Sequence, residues 1–339
     1  MHHGEGVEGL ADPAALRLSL LLDDGLALRS GRILALRPRA GTDLRGLPGT
    51  VEVVQGFKPD HDAFAARGFE TGVAPSGRYD AAIVFVPRSK AEARALVARA
   101  VGLVPNGAPV VVDGAKTDGV DSLLRECRAR SEIGGVVSKA HGKAFWLRAP
   151  GDFAGWDVVE DGKWATAPGG FSEGRVDRGS AMLGDALPKR MTGRVVDLGA
   201  GWGYLAARAL EREGVEEAHL VEAEWVALEA ARRNVADPRA SFHWADVGTF
   251  SAPEPFDLAV TNPPFHRGRA ADPSLGRAFI EAAARLLTPR GVLWCVANRH
   301  LPYERTLAGA FGEHVEVAGD AAYKVIRAER PIGARRRAA

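Results

Sequence analysis

The sequence predicts an α/β protein of two tandem Rossmann-like domains, each a mostly parallel sheet with helices on both faces, the N-terminal copy degenerate. Three observations carry this. Short apolar runs alternate with segments of helical spacing through the second half, a glycine cluster follows the first of those runs, and parts of the second half recur in the first.

In the second half, Arg194–Leu198 is an apolar run ending at glycines, as a strand buried on both faces would be. Tyr204–Glu213 carries Leu205, Ala209 and Leu210 at helical spacing and stops at Gly214. His219–Glu222 reads as the second strand. Trp225–Asn234 reads as a helix ended by Asp237-Pro238, and Ser241–Trp244 and Phe256–Thr261 as further strands. Asp272-Pro273 has the form of a cap and a first-turn proline, opening a helix through Phe279, Ala283 and Leu286. Val292–Ala297 is a strand, Tyr303–Phe311 a helix, and His314–Val317 and Tyr323–Ala328 the final strands.

The first half repeats parts of this plan. Tyr79–Val84 matches Phe256–Thr261, and each is followed by proline, a helix and a matching exit, Leu103–Gly107 against Leu287–Gly291. Those exits lead into Pro109–Val112 and Val292–Ala297, and Val51–Arg67 echoes His219–Arg232. Duplication of a whole domain explains these matches together; chance likeness of two generic α/β segments is the alternative. The copies differ in their polar residues. The first strand of the first half, Ile33–Leu36, leads into Arg37-Pro38 where the second half has glycines, and Gln55 stands against Glu222. The expected domains are therefore 1–160, a degenerate copy that lacks the polar site residues, and 161–339, the working copy.

A length of 339 residues suits two domains, and 46% hydrophobic with 26% charged residues is the profile of a soluble globular chain. No apolar run reaches the roughly 18 residues of a membrane span, and MHHGEGVEGLADP lacks the basic start and apolar core of a signal peptide. Cys127 and Cys295 are the only cysteines and form no metal-binding spacing. That excludes a disulfide framework, gives no metal site and points to a reducing cytoplasm. The net charge of +1 means that any nucleic-acid contact rests on local patches. Arg335–Arg337 and Lys139, His141 and Lys143 are candidates, each equally readable as a solvated segment.

Two motifs carry chemistry. In Asp197-Leu198-Gly199-Ala200-Gly201-Trp202-Gly203 the glycines Gly199, Gly201 and Gly203 stand at a strand-to-helix turn, where missing side chains let the backbone approach a ligand. The G-x-G-x-G spacing, with Asp197 two residues before it, resembles motif I of S-adenosylmethionine (SAM)-dependent methyltransferases. Trp202 is bulkier than such a loop calls for. Glu222, ending the second strand, would accept hydrogen bonds from both hydroxyls of a ribose, with Glu224 as its rival; Asp246, after the third strand, would suit an adenine amino group.

The second motif is Asn262-Pro263-Pro264-Phe265-His266, at the end of the fourth strand. An exocyclic base amine is a weak nucleophile because its lone pair is delocalised into the ring. The Asn262 side-chain oxygen and the Pro263 carbonyl would accept its two N–H bonds and turn the lone pair toward a methyl donor. The prolines would hold those acceptors in place, and Phe265 would stack on the base. Orientation and electrostatics then suffice, with no strong general base. His266 would line the base pocket.

Asn-Pro-Pro-aromatic is the mark of class I methyltransferases acting on planar nitrogen. Asn262–Gly268 is followed downstream by Val296–Tyr303, containing Asn298, and by Tyr323–Ala328, containing Lys324. It is preceded upstream by Phe171-Ser172 and by Asp177-Arg178-Gly179-Ser180 with Leu183. The series resembles the bacterial ribosomal RNA guanine-N2 methyltransferases, and best the small-subunit (16S) family, whose members carry a degenerate methyltransferase-like N-terminal domain. The resemblance implies that the glycine loop and Glu222 bind SAM, that Asp177 and Ser180 border the cofactor pocket, and that Asn262–Phe265 holds the guanine. Asn298 and Lys324 enter as substrate contacts, Lys324 being equally an ordinary exposed lysine. The expected partner is rRNA or a ribosomal subunit, the small one favoured, and duplication within one chain suggests a monomer. Guanine in 23S rRNA, adenine in nucleic acid and protein glutamine are the alternative substrates. A non-catalytic RNA-binding assembly factor is the alternative of another class.

Overall fold

The computed structural model describes residues 12–156, 164–166, 175–264, 266–267, 270–271 and 273–332, with side chains left undescribed over 266–271. Two units divide the chain, Met1–Gly56 with Asp60–Val158 and Phe57–Pro59 with Val159–Ala339.

The first unit runs α1 (Pro13–Asp23), β1 (Gly31–Leu36), β2 (Gly49–Val54), α2 (Lys58–Ala66), β3 (Glu70–Gly72), β4 (Ala81–Phe85), α3 (Lys90–Leu103) and β5 (Pro109–Ala115). A short 3-10 turn, α4 (Val120–Arg128), β6 (Ile133–Lys139) and β7 (Gly142–Arg148) complete it. Its sheet has the order β3-β2-β1-β4-β5-β7-β6. Strands β1 to β5 pair in parallel, and β7 joins β5 antiparallel.

The second unit runs α5 (Arg178–Ala186), β8 (Arg190–Leu198), α6 (Tyr204–Leu210), β9 (Glu213–Glu222), α7 (Trp225–Asn234), β10 (Ala240–Trp244) and β11 (Phe256–Thr261). The two-residue strands β12 (His266–Arg267) and β13 (Ala270–Ala271) follow, then α8 (Pro273–Leu286), β14 (Leu287–Asn298), α9 (Glu304–Ala310), β15 (Phe311–Gly319) and β16 (Tyr323–Pro331). The main sheet, β10-β9-β8-β11-β14-β16-β15, repeats the order and strand directions of the first unit.

The likeness reaches individual atoms. In the first unit Asp80 Oδ2 accepts from the Arg32 N–H at 2.8 Å, and in the second Asp257 Oδ2 accepts from the Arg194 N–H at 3.0 Å. The preceding residue is glycine in both, because a Cβ on Gly31 or on Gly193 would stand 2.1 Å from that carboxylate. Tandem duplication accounts for so specific a match, where two unrelated α/β segments would share only the strand order.

Each central strand buries alternate side chains in two different cores, which is why it reads as an unbroken apolar run. In β8, Val196 and Leu198 pack with Ile280 and Ala283 of α8, while Val195 packs with Leu183 of α5 and Leu205 of α6. In β1, Leu34 and Leu36 join Val97 of α3, and Ile33 and Ala35 join Leu21 of α1.

The expected helix to Glu213 ends earlier. α6 stops at Leu210 and the chain enters β9 at Glu213, opposite Arg190. Gly214 has φ +87°, and a Cβ there would lie 2.6 Å from the Met191 carbonyl oxygen, so the tight turn is already part of strand pairing. The proposed cap of α8, Asp272, lies outside the described residues, and α8 begins at Pro273 as expected.

Candidate active site

The parallel strands of the second sheet end on one edge at Leu198, Glu222, Trp244, Thr261 and Asn298. Connections leave β8 toward β9 on one side, while β11 arrives on the other, so β8 lies at the switch point where ligands of open α/β sheets bind.

The glycine loop fills that position. Gly199, Gly201 and Gly203 have φ of +72°, +55° and +92°, a region that disfavours side chains. A Cβ at Gly199 would meet the Phe279 ring at 2.8 Å, and one at Gly203 would meet Val235 at 2.7 Å. At Gly201 no described atom lies within 4 Å of that point, so the loop there faces open space. Trp202 does not obstruct it. Its indole is buried against Trp164 and Tyr204, ring centroids 5.0 and 5.6 Å away, while its carbonyl accepts from Asn234 Nδ2 at 2.9 Å.

Two acids flank the loop. Glu222 is half-buried and accepts from the N–H groups of Gly201 and Glu224, each at 2.8 Å. Burial raises its pKa, and those two N–H groups oppose the shift. Its rival Glu224 is thus a backbone donor to Glu222. Asp197 is 1% exposed. Its Oδ2 accepts from the Ala206 N–H at 2.9 Å, tying β8 to α6, while Oδ1 is buried with no hydrogen-bond partner among the described residues. Burial pushes its carboxyl up to about 7, against the Ala206 bond and with help from the Glu222 charge. Asp246, half-buried, stands two residues beyond Trp244, the register partner of Glu222, in a turn closed by the Gly248 N–H on Oδ1 at 3.0 Å.

Across β8 from Glu222, the Thr261 hydroxyl donates to the Leu198 carbonyl at 2.7 Å, locking the ends of β8 and β11 together. Asn262 therefore follows directly beside Gly199. Its Nδ2 donates to Asp177 Oδ2 at 2.8 Å and to the Ser180 hydroxyl at 2.9 Å. Asp177 is the N-cap of α5, where the same Oδ2 accepts from the Ser180 N–H at 2.9 Å. Asp177 and Ser180, expected only to border the cofactor pocket, thus grip the asparagine of the second motif. Residue type alone gives no sign of this contact between positions 82 and 85 residues apart. Pro263 is buried and Pro264 exposed. Phe265, and the side chain of His266, lie outside the described residues, as does Phe171-Ser172.

Asn298 ends β14, half-buried and in register with Tyr323. Lys324 departs from expectation. It is 5% exposed, and its ammonium donates to the Leu301 carbonyl at 3.0 Å and to the Glu304 carboxylate. It is not the exposed lysine expected, because the segment after β14 folds over it and accepts from its ammonium.

The first unit has lost its equivalent cradle, for a visible reason. Strand register places Arg37 where the second unit has Gly199: the Arg37 N–H donates to the Val54 carbonyl at 2.9 Å, as Gly199 does to Val221 at 2.9 Å. Arg37 adopts φ +60° and pairs with Glu92 at 2.8 Å and Gln55 at 2.9 Å. Gln55, in the place of Glu222, is 2% exposed and donates to the Pro38 carbonyl at 2.7 Å.

Comparison with known proteins agrees with this geometry. The Methyltransferase small domain family matches residues 161–327. The ribosomal RNA small subunit methyltransferase C of Shewanella baltica is 31% identical over 320 residues, 89% of this chain and 86% of that protein. The protein of the same name from Cronobacter sakazakii is 32% identical over 260 residues, 74% and 75% of the two chains. A solved T. thermophilus 16S rRNA N2 methyltransferase, in complex with AdoMet and guanosine, superposes with a TM-score of 0.79 at 27% identity, covering 96% of this chain and 94% of that one. With its paired methyltransferase folds and this likeness along most of its length, the chain belongs to the ribosomal RNA small subunit methyltransferase C family.

Proposed function

We propose that the second unit transfers a methyl group from SAM to the exocyclic N2 of a guanine in 16S ribosomal RNA. One observation carries the reading: the Asn262-Pro263-Pro264 segment and the glycine loop stand side by side, joined by the Thr261–Leu198 hydrogen bond. Family membership, and a relative solved with AdoMet and guanosine, support it.

The residues present fit the cofactor. The open face at Gly201 admits a ligand against backbone, and the unpartnered Asp197 Oδ1 offers an acceptor to an ammonium group. Glu222 would hold the ribose hydroxyls with the lone pairs left by Gly201 and Glu224, and Asp246 would accept from the adenine amino group. Bound SAM supplies an electrophilic methyl sulfonium. The protein's part is to present the nucleophile. Asn262 Oδ1 and the Pro263 carbonyl accept the two N2–H bonds and favour a pyramidal nitrogen, whose proton leaves after transfer. By the resemblance of the motif, Phe265 and His266 would line the base, with Asn298 at the rim.

A target inside a helix would need to be flipped or unpaired to reach such a pocket. Residues 1–160 are the proposed RNA-recognition part and 161–339 the catalytic part, acting as a monomer in the cytoplasm. Among the described residues no helix is long and apolar enough to cross a membrane. The test is transfer from labelled SAM into unmodified small and large subunits and their naked RNAs. Label in 16S rRNA is expected. Label in 23S rRNA alone, or in neither, would overturn the proposal.

A further inference from the structure

We infer that Asp177 and Ser180 are positioning residues that set which end of the Asn262 amide faces the base. The inference rests on the function proposed above and adds the device that makes Asn262 an acceptor.

An asparagine carboxamide has two nearly isosteric ends, one donating and one accepting. A guanine amine needs the accepting end. If the NH2 group faced the base, donor would oppose donor and the N2 lone pair would be drawn into the wrong contact. The Asn262 environment removes the ambiguity. Both Nδ2 hydrogens are consumed, one by Asp177 Oδ2 at 2.8 Å and one by the Ser180 hydroxyl at 2.9 Å. An ionised carboxylate can only accept. Turning the amide over would bring Asn262 Oδ1 against Asp177 Oδ2, acceptor against acceptor, in a partly buried site where an unmade hydrogen bond is costly. Ser180 could serve either orientation, so Asp177 supplies the polarity and Ser180 the second anchor.

The clamp is itself held in place. The Asp177 carboxylate is fixed by its capping bond to the Ser180 N–H at 2.9 Å. The Ser180 side chain is buried at the start of α5. Gly179 leaves the space this needs, since a Cβ there would stand 3.0 Å from both Asp177 Oδ2 and the Tyr323 ring. The Asn262 backbone is anchored independently through Thr261, so loss of the clamp would free the amide and leave the strand end in place.

The experiment reverses the polarity. Asp177→Ala removes the acceptor-only group and leaves the Ser180 hydroxyl, which serves either orientation, so the Asn262 orientation is no longer dictated. Asparagine at 177 would not do this, because the oxygen that caps the Ser180 N–H is also the one that faces Asn262 Nδ2. The expected result is a fall in kcat of about 10- to 100-fold, the scale of a misplaced catalytic group. SAM affinity should stay within about twofold, since no cofactor contact is removed. Asn262→Asp alone sets two carboxylates face to face and should be nearly inactive. In the double variant Asp177→Asn with Asn262→Asp, the amide at 177 donates to the carboxylate at 262, whose free oxygen again accepts from the base. Its activity should exceed that of Asn262→Asp by at least about tenfold, a coupling that a merely structural cap would not produce. Ser180→Ala, which leaves Asp177 in place, should cost about 3- to 10-fold, one hydrogen bond's worth.

Normal turnover by Asp177→Ala, loss of SAM affinity in proportion to rate, or no recovery in the double variant would each overturn the inference. Failure of the wild-type protein to methylate guanine would instead overturn the proposed function itself.

Discussion

Glu222 accepts a hydrogen bond from the Gly201 N–H at 2.8 Å, so the end of β9 holds the one glycine of the loop that faces open space. The first unit shows the alternative. There Gln55 turns its amide to the Pro38 carbonyl, and Arg37 reaches across to Glu92 and Gln55 where a ligand would lie. One fold thus appears twice in the chain, with the cradle open in one copy and filled by an arginine in the other.

Glu222→Ala should therefore weaken SAM binding by about 10- to 100-fold, the loss of charge-assisted hydrogen bonds to the ligand and to the loop. Isothermal titration checks this. Affinity equal to wild type would move the ribose acceptor elsewhere, to Glu224 first. Titration should also give one SAM per chain, because the first unit has no cradle.

Asn262→Ala should leave SAM affinity nearly intact while slowing methyl transfer by roughly 10²- to 10³-fold, as removal of one preorganised hydrogen-bonding group does. Single-turnover rates at saturating SAM separate the two effects, and a normal rate would remove Asn262 from the chemistry.

The carboxyl of Asp197, pushed up to about 7 by burial, gives SAM binding a pH dependence of known sign. To accept from the cofactor's ammonium it must give up its proton. Below pH 7 the ligand amino group stays protonated, with a pKa near 8, so affinity should fall as pH drops from 7 toward 5.5. The limit is about tenfold per pH unit for one proton. Glu222, also raised, acts in the same sense. In Asp197→Asn the dependence should flatten, and an unchanged slope would mean that Asp197 is not the group that titrates.

The unbroken apolar runs made β11 and the core of β8 legible from sequence, because strands buried on both faces admit few polar residues. The glycine loop and the place of Asn262 at the end of β11 were legible because left-handed turns select glycine and a buried strand's apolar run marks its own end. The buried place of Lys324 was not, since a lysine reads as exposed until the fold supplies the Leu301 carbonyl and Glu304 to satisfy it. Nor was the grip of Asp177 and Ser180 on Asn262, which depends on α5 packing across the end of β11. The hairpin β6–β7 was missed, although its turn carries Lys139 and His141 of the basic segment.

That hairpin is held by a buried ion pair. Arg17 of α1 meets Asp113 of β5 through two hydrogen bonds, 2.6 and 2.8 Å, and reaches the carbonyls of Lys139 and Ala140 at 3.4 Å. Asp113→Ala leaves the guanidinium buried without its partner and should destabilise the first unit by about 3–5 kcal/mol. Chemical denaturation measures it, and a loss below about 1 kcal/mol, the scale of a surface pair, would contradict this account.

The identity of the methylated nucleoside separates transfer to a base amine from every other methylation. Unmodified small subunits are incubated with the protein and methyl-labelled SAM, and the 16S rRNA is digested to nucleosides and analysed by mass and fragmentation. N2-methylguanosine, formed roughly 10²- to 10³-fold more slowly by Asn262→Ala, is the predicted product. A methyl group on adenine, on a ring nitrogen of guanine, or on ribose would contradict the role given to Asn262 and Pro263.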